Sequence, residues 1–142
     1  MREGAYAVTT PVLEMTEAAV SDFRADRAAG RVGGTTAVAD VDGRALYFSK
    51  EVVPFGGGPG GPAPVHHHVG VYAYRSAALN DYPTLSQGTL EKLEGLEQLR
   101  FMEHSKSVLC VEVDARGRQF WELNNPQDVP RLEKMMADMG VA

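Results

Sequence analysis

Polar side chains in two neighbouring blocks of the sequence have the types and spacing to bind a small polar ligand. His68, Gly70 and Tyr72 alternate with apolar residues, so they share one face of a predicted strand, and the glycine leaves room between an imidazole and a phenol. Glu97 and Gln98 follow in the helical pattern LEGLEQLR. A glutamine amide donates and accepts hydrogen bonds, a carboxylate accepts them from hydroxyl groups, and an imidazole can meet an acid. The set suits a polyhydroxylated acidic ligand, although the same alternation is typical of the solvent-facing side of any sheet.

Three consecutive histidines, 66–68, raise the question of a metal site. Consecutive residues on a strand point to opposite faces, so at most His66 and His68 could share one ion. A protein zinc site needs about three or four ligands, and neither a cysteine nor the fourth histidine, His104, lies nearby in the sequence. The pattern therefore favours a histidine that hydrogen-bonds to a ligand over a structural zinc site.

The segment 54–65, PFGGGPGGPAPV, is the one low-complexity stretch, and it contains a G-x-G-x-x-G pattern. Such a pattern binds a dinucleotide only where it opens a helix. Pro62 and Pro64 follow instead and disfavour a helix start, so we expect a mobile surface loop. Cys110 lies inside an apolar run, where a buried thiol is usually inert.

Hydrophobic periodicity and turn residues predict a mixed α/β sheet flanked by helices. Thr16 is expected to cap the first helix, and Asp42-Gly43 to form a hairpin turn. Pro11 is expected to loosen the end of the first strand, and Asn125 to cap the last helix. The predicted strands cover 6–10, 35–39, 44–48, 68–75 and 107–113, with helices over 16–29, 89–104 and from 125 onward, and a short helix or turn over 76–82.

Composition bounds the class of protein. The chain has 142 residues, with 14 Lys and Arg against 19 Asp and Glu, which gives a net charge of −5. This length suits one domain, and an acidic chain without a basic stripe is a poor candidate for binding nucleic acid or an anionic membrane. The single cysteine excludes an internal disulfide, and neither a membrane-spanning run nor a signal peptide is recognisable, so we expect a cytoplasmic protein.

Several blocks read together resemble one enzyme family. They are ALYFSK at 45–50, HVGVYAYR at 68–75, LEQLR at 96–100 and NNPQD at 124–128. Their order and spacing are similar to those of the 3-deoxy-manno-octulosonate cytidylyltransferases, the CMP-Kdo synthetases. The resemblance covers nearly all of this chain but only about the C-terminal half of the family's enzyme. It implies a fold like the C-terminal part of a nucleotide-diphospho-sugar transferase, with 1–142 forming one sugar-acid-binding and dimerisation domain.

In that family, CMP is transferred from CTP to a 3-deoxy sugar acid for lipopolysaccharide biosynthesis, with magnesium assisting and pyrophosphate released. The resemblance implies that His68, Tyr72, Glu97 and Gln98 bind the sugar acid. It also implies that Lys50 stands where a basic residue follows the family's serine, and that the chain forms a homodimer.

This sequence departs from the family's pattern where phosphate and metal are bound. The I-P-A-R start and the G-D-E-P-like turn with the first metal-binding aspartate have no counterpart here. The family's second metal carboxylate falls on Asn124, a neutral side chain, and Glu122 is a candidate substitute ligand for magnesium. The resemblance therefore implies a chain that transfers CMP only when a separate CTP-binding subunit supplies the missing half. The alternative is a catalytically inactive sugar-acid-binding or assembly module.

Overall fold

Strand β1 (Val8–Glu14) organises the sheet, because three other strands pair with it. The computed structural model describes residues 6–56, 63–118 and 120–141. The other strands are β2 (Thr36–Ala39), β3 (Ala45–Ser49), β4 (His66–His68), β5 (Ala73–Tyr74) and β6 (Val108–Glu112). The helices are α1 (Glu17–Ala28), α2 (Ser76–Asp81) with a 3-10 turn at Tyr82–Thr84, α3 (Thr89–Glu94), α4 (Gln98–Glu103) and α5 (Asp128–Asp138).

The sheet is mixed, as the sequence predicts. β1 runs parallel to β6, with Val8 opposite Val108. It runs antiparallel to β5, with Val8 opposite Tyr74, and to β4, with Val12 opposite His68. β6 pairs with β1 from Val8 to Val12 and therefore occupies one edge of β1. β4 and β5 pair with the other edge of β1, one after the other along the strand. β2 follows β4, and β3 follows β2, so the predicted fold class is confirmed.

The hairpin of β2 and β3 forms around the predicted Asp-Gly turn. Asp40 Oδ1 accepts hydrogen bonds from the backbone N–H groups of Asp42 (3.0 Å) and Arg44 (2.8 Å). Gly43 has a φ of +81°, which only glycine adopts at little cost. The Gly43 carbonyl accepts a hydrogen bond from Cys110 N (2.8 Å), so the turn also contacts β6 and curls the sheet.

Pro11 lies inside β1, so the predicted end of the first strand at residue 10 is wrong. A proline has no N–H group and is tolerated in a sheet only where no partner needs one. The Pro11 carbonyl accepts a hydrogen bond from Val69 N (3.1 Å). The nitrogen and the carbonyl group of one strand residue face the same edge of the strand, so the Pro11 nitrogen also faces Val69. The missing N–H group therefore faces the β4–β5 connection, where the chain has already left the sheet.

The predicted strand over 68–75 is interrupted by that connection. Val71 N donates a hydrogen bond to Val69 O (2.7 Å), which makes a tight turn around Gly70. β4 therefore ends before this turn, and β5 begins only after Tyr72. The strand that would have presented one flat polar face instead bends outward at its centre.

The predicted helix over 89–104 is two short helices. α3 ends at Gly95, whose φ of +64° is the left-handed conformation typical of a glycine at a helix end. In α4, Leu99 and Phe101 are buried, whereas Leu93 of α3 is 78% exposed. The continuous helix predicted over 89–104 is therefore wrong, and the fully buried apolar side chains of this segment, Leu99 and Phe101, belong to α4.

The sequence predicts two helix starts, and the structure confirms one of them. Thr16 caps α1, because its hydroxyl oxygen accepts a hydrogen bond from Ala19 N (3.2 Å). α5 begins later than predicted. The carboxylate of Asp128 accepts hydrogen bonds from the backbone N–H groups of Asn124 (3.1 Å) and Asn125 (2.7 Å), which holds these residues in a turn before the helix.

The main core lies between the sheet and helices α2 and α4. Its buried members are Val8, Val12, Ala37, Ala45, Phe48, Ala78, Leu99, Phe101, Val108 and Cys110. Within the described ranges, no helix is long and apolar enough to span a bilayer. The mobile loop predicted over 54–65 includes 57–62, which lie outside the described residues, so it stays a prediction.

Candidate functional site

A cavity of about 560 Å³ opens between the β4–β5 connection and helices α2 to α4. Gly70 and Tyr72 line it from the connection, and Glu97 and Gln98 line it from the start of α4. Tyr82, which follows α2, forms another part of the wall. This volume is typical of a site for a small molecule. The bend in the predicted strand and the break in the predicted helix thus bring Tyr72, Glu97 and Gln98 together.

His68 supports the wall of this cavity from the core side. The residue is 4% exposed, and its ring packs between Phe48 and Tyr72, with ring centroids 5.0 Å and 5.4 Å away. His68 Nε2 lies 2.9 Å from Thr10 Oγ1. Burial lowers the pKa of His68 to about 4, so the ring is neutral near pH 7. Its main contact with the site is the Tyr72 ring, and a direct contact with a ligand stays a prediction.

Tyr72 remains a hydrogen-bond donor over the physiological pH range. Burial raises the pKa of Tyr72 well above its ordinary value, and Tyr74, Glu97 and Glu122 raise it further. A protonated phenol donates one hydrogen bond and accepts others. The Tyr72 hydroxyl can therefore bind either a carbonyl or a hydroxyl oxygen.

Gln98 carries a buried amide nitrogen that has no acceptor among the described residues. Its side chain is 4% exposed, and Nε2 makes no hydrogen bond to any residue that the structure describes. The hydroxyl oxygen of Tyr82 is a second buried polar atom without a partner among those residues. An unsatisfied buried polar group costs about 1–3 kcal/mol. Because both side chains belong to the cavity wall, a bound molecule could remove this cost after a small side-chain rotation.

A buried ion pair fixes the helices behind the cavity. Arg100 donates two hydrogen bonds to the Glu91 carboxylate (2.6 and 2.7 Å), and Glu91 is 2% exposed. The Arg100 guanidinium also lies over the Tyr82 ring, 4.3 Å from its centroid. Glu103 joins α4 to α3 by accepting hydrogen bonds from the first backbone N–H groups of α3, those of Leu90 and Glu91. Tyr82 is therefore held from behind by α4.

Lys50 lies at the rim of the cavity. Its backbone N–H donates to the Glu94 carboxylate (2.8 Å), which also accepts from the Ser49 hydroxyl (2.8 Å). Its Nζ stands 3.0 Å from the position that a Cβ on Gly95 would occupy, and Gly95 lines the cavity. The ammonium group therefore adds positive charge beside Gly95, at one edge of the cavity.

The two candidate magnesium ligands lie beside each other, outside the residues that line the cavity. Asn124 Nδ2 donates a hydrogen bond to Glu122 Oε2 (3.1 Å). Within the described parts of the chain, no group of three His, Cys, Asp or Glu side chains could hold a metal ion. Magnesium prefers carboxylate oxygens in a near-octahedral arrangement, and here one carboxylate and one neutral amide are available. These residues alone do not fit magnesium, and we derive no catalytic step through it.

The remaining reactive side chains belong to the interior. His67 packs against Phe23 and Phe120, with centroid distances of 5.0 and 4.9 Å, and burial lowers its pKa to about 4. Burial also raises the pKa of the Cys110 thiol to about 11. Neither a protonated imidazole nor a thiolate is available in these places near neutral pH, which agrees with the expectation of an inert cysteine.

The sequence did not point to Tyr82, Arg100 or Thr10 as parts of the site. Tyr82 stands in the short segment NDYPT, which carries no periodic signal. Arg100 belongs to the LEQLR block, and the Glu91 nine residues earlier was a possible clue to its ion pair. Thr10 is distant in sequence from every other residue of the site, so only the sheet register could reveal its role.

Comparisons with known proteins identify the family. No family model matches the chain. The 3-deoxy-manno-octulosonate cytidylyltransferase of Maricaulis maris is 37% identical over 133 residues, which are 94% of this chain and 51% of that protein. The enzyme of the same name from Dichelobacter nodosus is 34% identical over 131 residues, which are 90% of this chain and 52% of that protein.

The solved structures agree with the sequences. The structure of CMP:2-keto-3-deoxy-manno-octonic acid synthetase complexed with CTP matches with a TM-score of 0.71 and 26% identity. The match covers 96% of this chain and 52% of that one. The chain spans about half the length of the curated relatives it matches. The chain therefore belongs to the 3-deoxy-manno-octulosonate cytidylyltransferase family and corresponds to its C-terminal part.

Proposed function

We propose that this chain is the sugar-acid half of a cytidylyltransferase. It binds a 3-deoxy sugar acid in the cavity, and CMP is transferred from CTP only when a CTP-binding half completes the site. The observation that carries the proposal concerns Gln98 in the cavity wall, whose buried amide nitrogen finds no acceptor in the described parts of the chain. The same wall also presents the Glu97 carboxylate. A groove that merely separates two helices would not need to bury an unsatisfied donor.

Each polar group of the cavity suits one feature of such a ligand. Glu97 can accept hydrogen bonds from sugar hydroxyl groups, and Gln98 and Tyr72 can donate to hydroxyl or carboxylate oxygens. Lys50 places an ammonium group at the rim, where it would attract the ligand's carboxylate. His68 contributes by holding the Tyr72 ring.

Binding of the sugar acid can be measured directly. We expect 3-deoxy-manno-octulosonate to bind the purified chain in calorimetric titration, and Gln98→Met to weaken binding about tenfold or more, as loss of one buried hydrogen bond predicts. Gln127→Met is the matched control, because Gln127 is exposed and lies just before α5, outside the residues that line the cavity. Wild-type protein that does not bind the sugar acid, or equal affinities for all three proteins, would refute the proposal.

Transfer of CMP needs groups that this chain lacks. With CTP, the sugar acid and magnesium, we expect no pyrophosphate release from the chain alone, and release when the N-terminal half of a curated relative is added. The carboxylates that hold magnesium would have to come mainly from that half, because this chain offers Glu122 beside the neutral Asn124. Robust turnover by the isolated chain would contradict this division of roles.

The alternative is an inactive sugar-acid-binding or assembly module, and exposed apolar side chains favour an assembly role. Leu93 of α3 is 78% exposed and Met136 of α5 is 44% exposed. We propose that such surfaces form a symmetric homodimer that buries more than about 1,000 Å² in total, since closed twofold association is the commonest form. Light scattering at micromolar concentration tests this, and a monomer would remove the assembly role.

A further inference from the structure

Thr10 makes three polar contacts at the point where the sheet opens toward the cavity. The residue is fully buried in β1, immediately before Pro11. Its hydroxyl oxygen lies 2.9 Å from His68 Nε2, 2.8 Å from Val71 O and 3.1 Å from Val69 O. The hydroxyl therefore joins the last residue of β4 to the turn that interrupts the strand.

The number of available protons decides how these contacts are shared. A threonine hydroxyl has one proton to donate and two lone pairs that accept. Val69 O already accepts a hydrogen bond from Val71 N (2.7 Å), so the hydroxyl proton belongs on Val71 O, the closer of the two carbonyl oxygens. His68 must then be the donor to Thr10, which requires its proton on Nε2 and leaves Nδ1 unprotonated.

The proton can be assigned to one nitrogen of His68 only if the ring is neutral. Burial lowers the pKa of His68 to about 4, so near pH 7 the imidazole carries one proton and must place it on one of its two nitrogens. The same ring contacts the Tyr72 ring, which lines the cavity. Both the backbone turn before Tyr72 and the ring behind it are therefore held by one hydroxyl group.

We propose that Thr10 is a positioning residue for the cavity: its hydroxyl selects the Nε2–H form of His68 and fixes the turn at Val71, and both together place Tyr72. Thr10 itself does not line the cavity, so its effect on a ligand passes through Tyr72. The expected effect on ligand affinity rests on the proposed function, whereas the expected ring protonation does not.

The wild-type protein provides the first test, which needs no variant to fold. Two-bond 15N–1H correlation spectra at pH 7 report which imidazole nitrogen carries the proton, and the His68 signals can be assigned through bonds from its backbone in the isotope-labelled wild type. We expect a protonated Nε2 and an unprotonated Nδ1. A ring protonated at Nδ1, or an even mixture of both forms, would overturn the proposal.

The second test uses variants of two adjacent threonines. Thr10→Val removes the hydroxyl while keeping the shape, Thr10→Ser keeps the hydroxyl, and Thr9→Val makes the same chemical change on the opposite face of β1. Thr10→Val is expected to lose the single ring form of His68 and to bind 3-deoxy-manno-octulosonate about tenfold more weakly. Thr10→Ser and Thr9→Val are expected to retain both properties.

The outcomes separate this proposal from the proposed function. The hydroxyl has no positioning role if Thr10→Val keeps the ring protonation and the ligand affinity of the wild type. The same conclusion follows if Thr10→Ser or Thr9→Val loses the single ring form of His68 and the affinity as much as Thr10→Val does. If the wild type does not bind the sugar acid, the proposed function fails. In that case the ring form of His68 and the nuclear Overhauser contacts between the His68 and Tyr72 rings in Thr10→Val decide the role of Thr10 alone.

Discussion

Replacing Gln98 by methionine is expected to stabilise the free protein while it weakens ligand binding. Gln98 is 4% exposed, and its Nε2 finds no acceptor among the described residues. Removing an unsatisfied buried donor recovers about 1–3 kcal/mol. Methionine has a similar length and a flexible apolar side chain, so the change leaves little empty space and adds buried apolar surface. The free energy of unfolding should therefore rise by about 1–3 kcal/mol.

Urea denaturation of the ligand-free protein measures this change directly, and the slope of the transition should stay constant. Thermal melting should follow in the same direction, by roughly 4 °C for each kcal/mol in a chain of this size. Gln127→Met serves again as the control. Gln127 is exposed, and although it stands at the N-cap position of α5 its side chain makes no capping hydrogen bond, so the change should alter stability by only about 0.5 kcal/mol or less.

A gain in stability together with a loss of ligand affinity in Gln98→Met would distinguish a ligand-binding residue from a packing residue. A residue kept for packing loses stability when it is replaced, whereas a residue kept for a ligand can gain stability and lose affinity. If Gln98→Met lowers the free energy of unfolding by more than about 1 kcal/mol, then the amide has a partner in the folded protein. The reasoning that places a ligand acceptor next to it would then be wrong.

Three further predictions concern pH, space and charge. The pKa values of His67 and His68 are about 4 in the folded protein against 6.5 for a free histidine, so the unfolded chain binds more protons between these values. For each of the two histidines, the free energy of unfolding is therefore about 3 kcal/mol larger above pH 6.5 than at pH 4. Urea midpoints that stay constant from pH 7 to 5 would contradict this. Gly70→Leu should leave the melting temperature nearly unchanged, because a Cβ at Gly70 meets nothing within 4 Å. It should abolish sugar-acid binding, because Gly70 lines the cavity and a leucine side chain would occupy part of it, and calorimetric titration measures this loss. Arg100→Met should lower the urea midpoint of unfolding, because it leaves the Glu91 carboxylate, which is 2% exposed, without its partner. The double variant with Glu91→Gln should recover part of that loss, and an unchanged midpoint in Arg100→Met would contradict the role of the ion pair.

Elements set by local signals could be predicted from the sequence. Thr16 caps α1 because a threonine side chain meets the backbone three residues later, and the turn of the β2–β3 hairpin needs a positive φ that Gly43 supplies. The cap and turn signals span only a few residues, so no knowledge of the tertiary fold is required. Tyr72, Glu97 and Gln98 were candidates from strand alternation and from the family resemblance, and all three line one cavity, whereas their role in binding stays a prediction.

The errors share a different cause. Pro11 lies inside a strand because its neighbour leaves the sheet at that point, and this neighbour is encoded about 60 residues away. The helix over 89–104 was predicted as continuous because apolar spacing runs across Gly95, although the glycine itself was a signal for a break. Thr10 gains its role only through the register of the sheet, which brings His68 beside it. Tyr82 gains its role through Arg100, whose ion pair with Glu91 joins α4 to α3.

The pairing of β1 also determines when this protein can fold. Its partners are encoded far downstream, since Val12 pairs with His68 and Val8 pairs with Val108, about 100 residues later. On the ribosome, β1 must therefore wait with open backbone hydrogen-bonding groups until the residues of β6 have been made. Long-range pairing of this kind slows folding and exposes strand edges to other nascent chains. Production of this chain should for that reason depend more on slow translation and low temperature than its length of 142 residues would imply.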